Sequence, residues 1–503
     1  MKRALLIVGF ALAAILYAGA PLPRNNAPLA LAVRASVQAS TSSLRERIAR
    51  VEHGLLPPVE VKGEPTPAMN LADRMAFYKV PGVSIAVIDH GRIDWMRGYG
   101  FADVAAKQPV TPDTRFQAAS ISKSVTAAAA LHFVEEGKID LDRNVNDYLK
   151  SWKVPDNDFT REQKVTLRRL LSHSAGLTIH GFPGYEAGTP VPTLVQVLNG
   201  EKPANTEPVR VDTVPGTKWS YSGGGYTVVQ QMLIEVLGKP FPQIMQTTSL
   251  SKFDMKDSAY SQPLREDWRP FAATGYRSDG TPVDGKYRTY PELAAAGLWT
   301  TPADLSRFAI GIQDALAGKS HSVISQATAQ QMLKRQIEND GLGVFVEGEG
   351  QALQFTHSGA NEGFQCILVA YARAGQGAVV MTNSDSGNRL ISEFLRAISH
   401  EYGWPDFKPA ERTIVKVDPA LFRDYVGSFQ LAPNFVLTIT QEGDHLFAQA
   451  TGQPKAEIFA ESDREFFPKV SDAQITFVRD SPGRVTELIL HQGSEDTHAK
   501  RIE

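Results

Sequence analysis

The spacing of apolar positions changes along the chain and separates strand-rich from helix-rich parts. Near the start, residues 83–89 are mostly apolar and residues 92–99 alternate, with a His-Gly turn between them. This pattern predicts a β-hairpin. In the middle, residues 125–134 form an alanine-rich run, and residues 226–237 repeat apolar side chains every four positions. Both runs predict helices.

Strand patterns return later in the chain. Residues 355–358, 364–372 and 378–383 predict consecutive strands, and residues 389–402 predict a helix. Strands near both ends thus flank a mostly helical middle. This order favours an α+β fold in which helices flank a single antiparallel sheet.

Two long stretches of the helical middle show little apolar periodicity. Residues 177–215 and 271–297 are rich in Gly and Pro and are predicted to be loops over a site. A short helix is predicted at residues 166–172, and Thr301 followed by Pro302 predicts the start of another helix.

The pattern changes again beyond residues 404–417, which are predicted to be a linker. Short alternating runs separated by turn residues then predict a small all-β domain over residues 418–503. The runs lie at residues 435–440, 445–450, 457–460, 474–479 and 484–491.

The first residues differ from the rest in hydropathy. Lys2 and Arg3 precede an apolar run over residues 4–20, which predicts a secretory signal peptide over residues 1–20. The run is also at the lower length limit of a membrane span, so an uncleaved inner-membrane anchor is the alternative. Both interpretations predict export, to the periplasm or the extracellular space. Residues 21–70 are predicted to be an N-terminal extension.

Composition and charge exclude several classes of function. The net charge is −3 and no basic stripe occurs, which argues against nucleic acid as a partner. The 11 histidines are scattered, and neither a metal nor a cofactor is predicted. The single cysteine, Cys366, cannot form an intrachain disulfide and is predicted to pack in the core.

Ser120 and Lys123 are the most informative pair of polar residues, because they lie three positions apart at the head of the alanine run. Positions i and i+3 share a helix face, so the Lys123 amine is predicted to reach the Ser120 hydroxyl. A neighbouring base activates a serine nucleophile, and a free helix N-terminus favours developing negative charge. The pair therefore predicts nucleophilic catalysis.

A second pair with the same spacing, Ser249 and Lys252, shows that the pattern alone is not specific. It lies in a polar stretch and opens no apolar helix. We interpret Ser249 as a helix N-cap residue and Lys252 as a solvated side chain.

Tyr221 lies next to a run of three glycines, directly before the predicted helix at residues 226–237. A tyrosine held near lysines is able to act as a base. The alternative interpretation is a loop aromatic that covers a helix end.

His357 begins a His-Ser-Gly-Ala stretch on a predicted strand. Gly359 permits a ligand to lie along the strand edge, and the Ala360 N–H is predicted to pair with the Ser120 N–H as an oxyanion hole. The alternative is an ordinary histidine at a strand end.

Taken together, these motifs resemble those of the serine β-lactamase and penicillin-binding-protein superfamily, most closely its class C β-lactamase-related branch. The resemblance covers residues 71–403 and includes the stretches at residues 165–177 and 295–305. It implies a β-lactamase/transpeptidase-like fold and a serine hydrolase that works through an acyl-enzyme. The C-terminal β domain resembles a small lipocalin-like module.

The resemblance also implies roles for individual residues. Ser120 is the implied nucleophile, Lys123 takes or relays its proton, and Tyr221 is the base in acylation and the acid to the leaving group. His357 stands where the family has a lysine. The implied oxyanion and substrate-binding residues are Ser120, Ser358, Gly359 and Ala360.

Two positions depart from the family pattern. Gly223 replaces an asparagine that binds the substrate amide, and His357 carries less positive charge than a lysine near neutral pH. Both departures weaken the case for a β-lactamase and leave esterase and amidase roles open. His173 matches a structural turn of the family at a helix end rather than a catalytic histidine.

Alternatives from other classes are less consistent with the residues. A triad esterase of the α/β-hydrolase type needs a Gly-x-Ser-x-Gly motif, which does not occur. A non-catalytic sensor of peptidoglycan fragments has no need of Ser120, Lys123 and Tyr221 together. The substrate is a small molecule, or a peptide or ester, and the reacting bond stays open between an ester, a D-amino-acid peptide and a lactam.

Overall fold

The computed structural model describes residues 43–502 except 68, 482 and 494. The predicted signal segment at residues 1–20, and residues 21–42 of the predicted extension, lie outside the described residues. The chain divides into one unit that ends at Arg50 and a second that runs from Val51. In the described part of the chain, no helix is long and apolar enough to cross a membrane.

Twelve α-helices are described. They are α1 (residues 43–53), α2 (Leu71–Tyr78), α3 (Ile121–Glu135), α4 (Leu167–Leu171), α5 (Leu194–Asn199), α6 (Gly223–Leu237), α7 (Phe241–Met245), α8 (Leu293–Ala296), α9 (Pro302–Leu316), α10 (Gln326–Met332), α11 (Gly387–Tyr402) and α12 (Phe422–Tyr425). Short stretches of other helix types lie at Val145–Asp147, Asp158–Thr160, Gln246–Leu250, Glu266–Phe271, Gly350–Ala352 and Pro419–Leu421.

The strands fall into four groups. Those before the C-terminal part are β1 (Val59–Val61), β2 (Gly82–Asp89), β3 (Arg92–Asp103), β4 (Gln108–Pro109), β5 (Phe116–Gln117), β6 (Ala259–Tyr260), β7 (Leu298–Thr300), β8 (Phe345–Glu347), β9 (Gln354–Asn361), β10 (Phe364–Tyr371), β11 (Gln376–Thr382) and β12 (Ala410–Arg412). The C-terminal strands are β13 (Gly427–Ala432), β14 (Phe435–Glu442), β15 (His445–Ala450), β16 (Ala456–Ala460), β17 (Glu465–Pro468), β18 (Ala473–Arg479), β19 (Val485–Gln492) and β20 (Glu495–Arg501).

The main sheet confirms the predicted fold class. Its seven antiparallel strands follow the order β4-β3-β2-β11-β10-β9-β8, so strands from both ends of this part of the chain meet in one sheet. Strand β2 is buried at seven successive positions, which requires cover on both faces of the sheet. Helix α9 packs against β2 and β11, and α11 packs against β10 and β11.

Helix α3 crosses behind strand β9 and carries the predicted nucleophile at its N-terminus. Its alanine run is buried from Ile121 to Leu131, because small side chains let α8, α10 and β9 approach closely. Strand β5, which belongs to the three-stranded sheet β5-β7-β6, directly precedes this helix in the chain. The helix is therefore a fixed central element on which a site is held rigidly.

Three predictions about the middle of the chain are wrong in part. The stretch predicted as a loop at residues 177–215 contains α5, where Thr193 and Gln196 form a reciprocal capping box. The second predicted loop contains α8 near its end. Helix α6 also begins at Gly223, so the three glycines form its first turn and Ser222 is its N-cap.

The C-terminal part is a closed eight-stranded barrel, β13 to β20. Its interior is filled by packed side chains, among them a stacked pair of Tyr425 and Phe477 rings with centroids 4.4 Å apart. Strands β13, β17 and β20 were not predicted from the sequence. The likeness to a lipocalin stays a prediction.

The segment predicted as a linker also carries regular structure. Its strand β12 pairs in parallel with β1 from the N-terminal extension. Arg412 of β12 forms ion pairs with Glu461 and Asp472 on the barrel, and Lys469 pairs with Glu64. The linker is thus a paired strand that contacts both neighbouring parts of the chain.

Candidate active site

Ser120 occupies the N-cap position of α3, but its hydroxyl makes no capping hydrogen bond. The preceding residue, Ala119, has a left-handed φ of +47°. This conformation costs an alanine about 1 kcal/mol. The Ala119 carbonyl is held by hydrogen bonds from Ser122, through the backbone N–H at 3.0 Å and the hydroxyl at 2.5 Å. In this locally strained conformation the Ser120 hydroxyl does not cap the helix, so it is available to act as the predicted nucleophile.

Lys123 lies one turn into α3 and reaches back to Ser120. Its Nζ donates hydrogen bonds to Ser120 Oγ at 2.9 Å and to the Ala295 carbonyl at 2.8 Å. The side chain is 2% exposed, so these contacts form out of bulk water. The structure therefore brings the predicted nucleophile and its predicted base together.

Tyr221 lies beside the same lysine. The Lys123 Nζ lies 5.0 Å from the centroid of the Tyr221 ring. Within the described residues, the Tyr221 hydroxyl makes no hydrogen bond to Ser120 or Lys123. Apo sites often show loose catalytic contacts that tighten when substrate binds. The ring of Tyr221 thus lies near Lys123, and the acid–base role of its hydroxyl stays a prediction.

His357 lies in strand β9 on the other side of Tyr221, with ring centroids 6.4 Å apart. Its Nδ1 donates a hydrogen bond to the Ser358 carbonyl at 2.6 Å. Burial, together with the nearby Lys123 charge, lowers the pKa of His357 to about 3. The imidazole is therefore neutral near pH 7, with an acceptor lone pair on Nε2.

Gly359 brings strand β9 against the segment that precedes the nucleophile. A Cβ on this residue would lie 2.3 Å from the Ala118 carbonyl oxygen and 3.1 Å from the Ala119 Cβ. Cys366 on β10 fills the space beneath and donates from Sγ to the same Ala118 carbonyl at 3.2 Å. Only glycine permits this approach of the strand to the nucleophile loop.

The Ala360 amide points towards the open edge of β9. The two-residue turn after Asn361 makes Asn361 and Phe364 a hydrogen-bonded pair, so the next pair along β9, Ala360 with Gln365, lacks mutual hydrogen bonds. Strand β8 ends opposite Thr356 and leaves that edge uncovered at Ala360. The Ser120 N–H, at the start of α3, donates no hydrogen bond to any described residue. Both predicted oxyanion donors thus have no hydrogen-bond partner among the described residues, and their joint role in an oxyanion hole stays a prediction.

Ser249 lies elsewhere, and its interpretation as an N-cap residue is wrong. It sits inside the π-helical turn Gln246–Leu250, is fully buried, and donates from Oγ to the Val125 carbonyl of α3 at 3.5 Å. Lys252 contacts His132 rather than Ser249. Burial of the hydroxyl under α3 excludes substrate, so this second Ser-x-x-Lys pair is a packing feature.

His173 was predicted to have only a structural role at a helix end, but it contacts residues of the candidate site. It follows α4, as predicted, but its Nδ1 accepts a hydrogen bond from the Ser222 N–H at 3.0 Å. Its ring centroid lies 4.2 Å from that of Tyr221. No local sequence signal pairs His173 with Tyr221, because the contact joins two loops far apart in the chain.

Phe182 occupies the space beside Gly223. A Cβ on Gly223 would lie 2.9 Å from a carbon of the Phe182 ring. Gly223 was identified from the sequence as a departure from the family pattern. Phe182 was not predicted as its neighbour, because it lies in a predicted loop that shows no apolar periodicity. An aromatic wall thus takes the place of a polar side chain two residues after Tyr221.

The described residues hold no group of three or more His, Cys, Asp or Glu side chains able to bind a metal ion. The arrangement instead joins a hydroxyl nucleophile, a buried amine and two amide donors. These are the parts that acyl transfer through a covalent intermediate uses.

Comparisons with known proteins show which families the two parts of the chain resemble. A family model described as Beta-lactamase matches residues 68–398, and one described as a domain of unknown function, DUF3471, matches residues 411–502. The chain is 21% identical over 441 residues to Penicillin-binding protein 4* of Bacillus subtilis, covering 82% of this chain and 93% of that protein.

Solved structures share the fold at low identity. The octameric penicillin-binding protein homologue from Pyrococcus abyssi superposes with a TM-score of 0.58 at 21% identity, over 86% of this chain and 98% of that one. EstCE1, described as a hydrolase with promiscuous acyltransferase activity, gives a TM-score of 0.56 at 20% identity, over 72% of this chain and 99% of that one.

Proposed function

The chain belongs to the Beta-lactamase family, a family of serine hydrolases, and from this premise we propose that it hydrolyses small carboxylic esters through an acyl-enzyme on Ser120. The observation that carries the proposal is the 2.9 Å hydrogen bond between Lys123 Nζ and Ser120 Oγ in a buried setting. A serine in contact with a buried amine at a helix N-terminus is an activated nucleophile.

The proposed reaction has two halves. Ser120 Oγ attacks the ester carbonyl carbon while its proton passes to Lys123, and the Ser120 and Ala360 amides receive the oxyanion. The intermediate then expels the alcohol, which takes up a proton from Tyr221. Lys123 then restores the proton of Tyr221. Water attacks the acyl-enzyme next and gives a proton to Lys123, which returns it to Ser120 Oγ as the carboxylic acid is released.

Two features favour a neutral ester over a lactam or a D-amino-acid peptide. The neutral His357 supplies no charge for a substrate carboxylate, which both of the other substrate classes carry. Phe182 fills the position beside Gly223 where a substrate amide would need a polar partner. An apolar acyl group suits such a wall better than an amide does.

A substrate panel tests the proposal. Purified protein is assayed with 4-nitrophenyl butyrate, nitrocefin and a D-Ala-D-Ala peptide, with S120A as the inactive control. The expected result is hydrolysis of the ester, with kcat/KM at least about 100-fold above the value for either other substrate. Preferential hydrolysis of nitrocefin or the peptide contradicts the ester assignment. Turnover of none of them, with tight binding of the peptide, favours the non-catalytic sensor.

A matched pair of variants tests the basis of this preference. G223N alone places its side chain against Phe182 and is expected to lower ester turnover. Combined with F182A, which opens that space, G223N is expected to raise the ratio of nitrocefin to ester turnover about 10-fold or more. An unchanged ratio in the double variant contradicts the assigned role of Phe182.

A further inference from the structure

We propose that His173 is a positioning residue that orients Tyr221 to protonate the leaving alcohol; this inference rests on the proposed ester hydrolysis. His173 makes three contacts with Tyr221 and the residues on either side of it, and a fourth with Tyr226. Because these contacts are with Tyr221 and residues packed around it, the proposed effect of the histidine is exerted through Tyr221.

The first two contacts fix the backbone around the tyrosine. The Ser220 N–H donates to the His173 carbonyl at 2.8 Å, and the Ser222 N–H donates to His173 Nδ1 at 3.0 Å. One residue thus holds the amides immediately before and after Tyr221. Because Ser222 is the N-cap of α6, this also locks the tyrosine to the helix start.

The other two contacts fix rings. The imidazole lies 4.2 Å from the Tyr221 ring at an angle of 36°, and 5.4 Å from the ring of Tyr226, which is fully buried. Tyr226 in turn donates its hydroxyl to the Leu171 carbonyl of α4. The Tyr221 ring is therefore set by a packed aromatic neighbour rather than by solvent.

The backbone of His173 makes both kinds of contact possible. Its φ of +52° is left-handed, so the chain reverses after α4 and presents the carbonyl and the ring to the same segment. Burial, with the charge of Lys123, lowers the pKa of His173 well below 6.5. The ring therefore keeps its Nδ1 lone pair as an acceptor and carries its proton on Nε2.

Two esters that share an acyl group but differ in the leaving group distinguish a positioning role of His173 from a purely structural one. The nitrophenolate of 4-nitrophenyl butyrate leaves without a proton, whereas the alkoxide of ethyl butyrate requires one. The variant H173F keeps an aromatic ring and removes the Nδ1 acceptor, and H173N keeps a short acceptor in a residue that tolerates left-handed φ. H132N, on a histidine remote from the site, is the control.

For H173F the expected loss of kcat is about 100-fold or more with ethyl butyrate and less than about fivefold with the nitrophenyl ester. H173N is expected to recover ethyl butyrate turnover to within about tenfold of the wild type. If H173F does not fold, H173Q, whose acceptor lies beyond the Nδ1 position, provides the same comparison. Equal losses with both esters, or no loss, overturn the proposal.

The same assays distinguish this proposal from the one on which it rests. Hydrolysis of 4-nitrophenyl butyrate by the wild type, absent in S120A, supports the proposed function whatever the His173 variants do. Wild-type protein that hydrolyses neither ester overturns both proposals, because no leaving alcohol then exists for Tyr221 to protonate.

Discussion

At the scale of single residues, Ala119 and Gly359 set how closely the nucleophile approaches strand β9. Ala119 holds a left-handed conformation directly before Ser120, and Gly359 lies where any side chain would meet the Ala118 carbonyl. Together they bring strand β9, which carries Ala360, against the segment that leads into Ser120. An oxyanion hole depends on such placement to a fraction of an ångström.

The variant G359A tests this placement. Its methyl group would lie 2.3 Å from the Ala118 oxygen and 2.6 Å from Cys366 Sγ, so strand and loop must separate. Turnover of 4-nitrophenyl butyrate is expected to fall about 100-fold or more, as for loss of an oxyanion donor. G181A is the matched control, because nothing lies within 4 Å of its added methyl group. A wild-type kcat in G359A would show that Ala360 is not an oxyanion donor.

At the scale of elements, helix α8 holds the carbonyl that fixes Lys123, and a buried acid lies directly before it. Glu292 is fully buried, and neither carboxylate oxygen has a hydrogen-bond partner in the described chain. Burial raises the pKa of Glu292 from 4.5 to about 8. The group is therefore neutral in the folded protein at pH 7, whereas it is ionised in the unfolded chain.

The sign of the pH effect follows from this difference. Folded Glu292 binds a proton more tightly than unfolded Glu292, so its contribution to stability is full below pH 4.5 and is lost as the pH rises to about 8. The variant E292Q removes the cost of burying a charge. Its free energy of unfolding is expected to exceed that of the wild type by about 2–4 kcal/mol at pH 9, with little difference at pH 4.5.

Urea denaturation at both pH values measures this difference, with E266Q at an exposed glutamate as the control. Burial raises the pKa of Asp340 to about 7, so the free energy of unfolding of every variant still depends in part on pH. Parallel stability curves for wild type and E292Q would contradict the assignment of a neutral buried acid.

Sequence reasoning located the elements whose pattern is local and missed those held by distant contacts. Helix α3 and the hairpin β2–β3 follow from an alanine run and a turn between apolar stretches. Strand β20 has the sequence EDTHAKR, in which Ala499 is the single buried position, so its place in the barrel comes from pairing with β13 and β19. Hydrogen bonds between strands far apart in the chain carry no local signal.

The same division applies to the site. The Ser120–Lys123 contact follows from helix geometry alone, because positions i and i+3 share a face. The contacts of His173 with Tyr221 and of Phe182 with Gly223 join loops to a helix start. Loop conformation depends on what the loop packs against, and the sequence does not encode that locally.

At the scale of the whole molecule, we propose that residues 71–403 and 418–503 are separate domains and that only the first supplies catalytic groups. All the site residues lie between Ser120 and Ala360. The barrel contacts the rest through ion pairs of Arg412 and Lys469 and a backbone hydrogen bond from Val415 to Ala460. Ion pairs at such a surface contribute little to stability.

A truncated protein that ends at Thr413 tests this independence, because it keeps the β1–β12 pair and removes the barrel. Its kcat with 4-nitrophenyl butyrate is expected to stay within about tenfold of the full chain. A soluble truncated protein that unfolds cooperatively yet hydrolyses no ester would show that the barrel completes the site. Circular dichroism melting curves establish that the compared proteins are folded.

The central claim is that Ser120 is the nucleophile, and covalent labelling tests it most directly. Wild type, S120A and S249A are incubated with a fluorophosphonate, digested, and the labelled peptide is identified by mass spectrometry. We expect one adduct on Ser120, full labelling of S249A, and none of S120A, because Ser120 contacts Lys123 at 2.9 Å while Ser249 is buried beneath α3. An adduct on Ser249, or labelling that persists in S120A, would contradict the account.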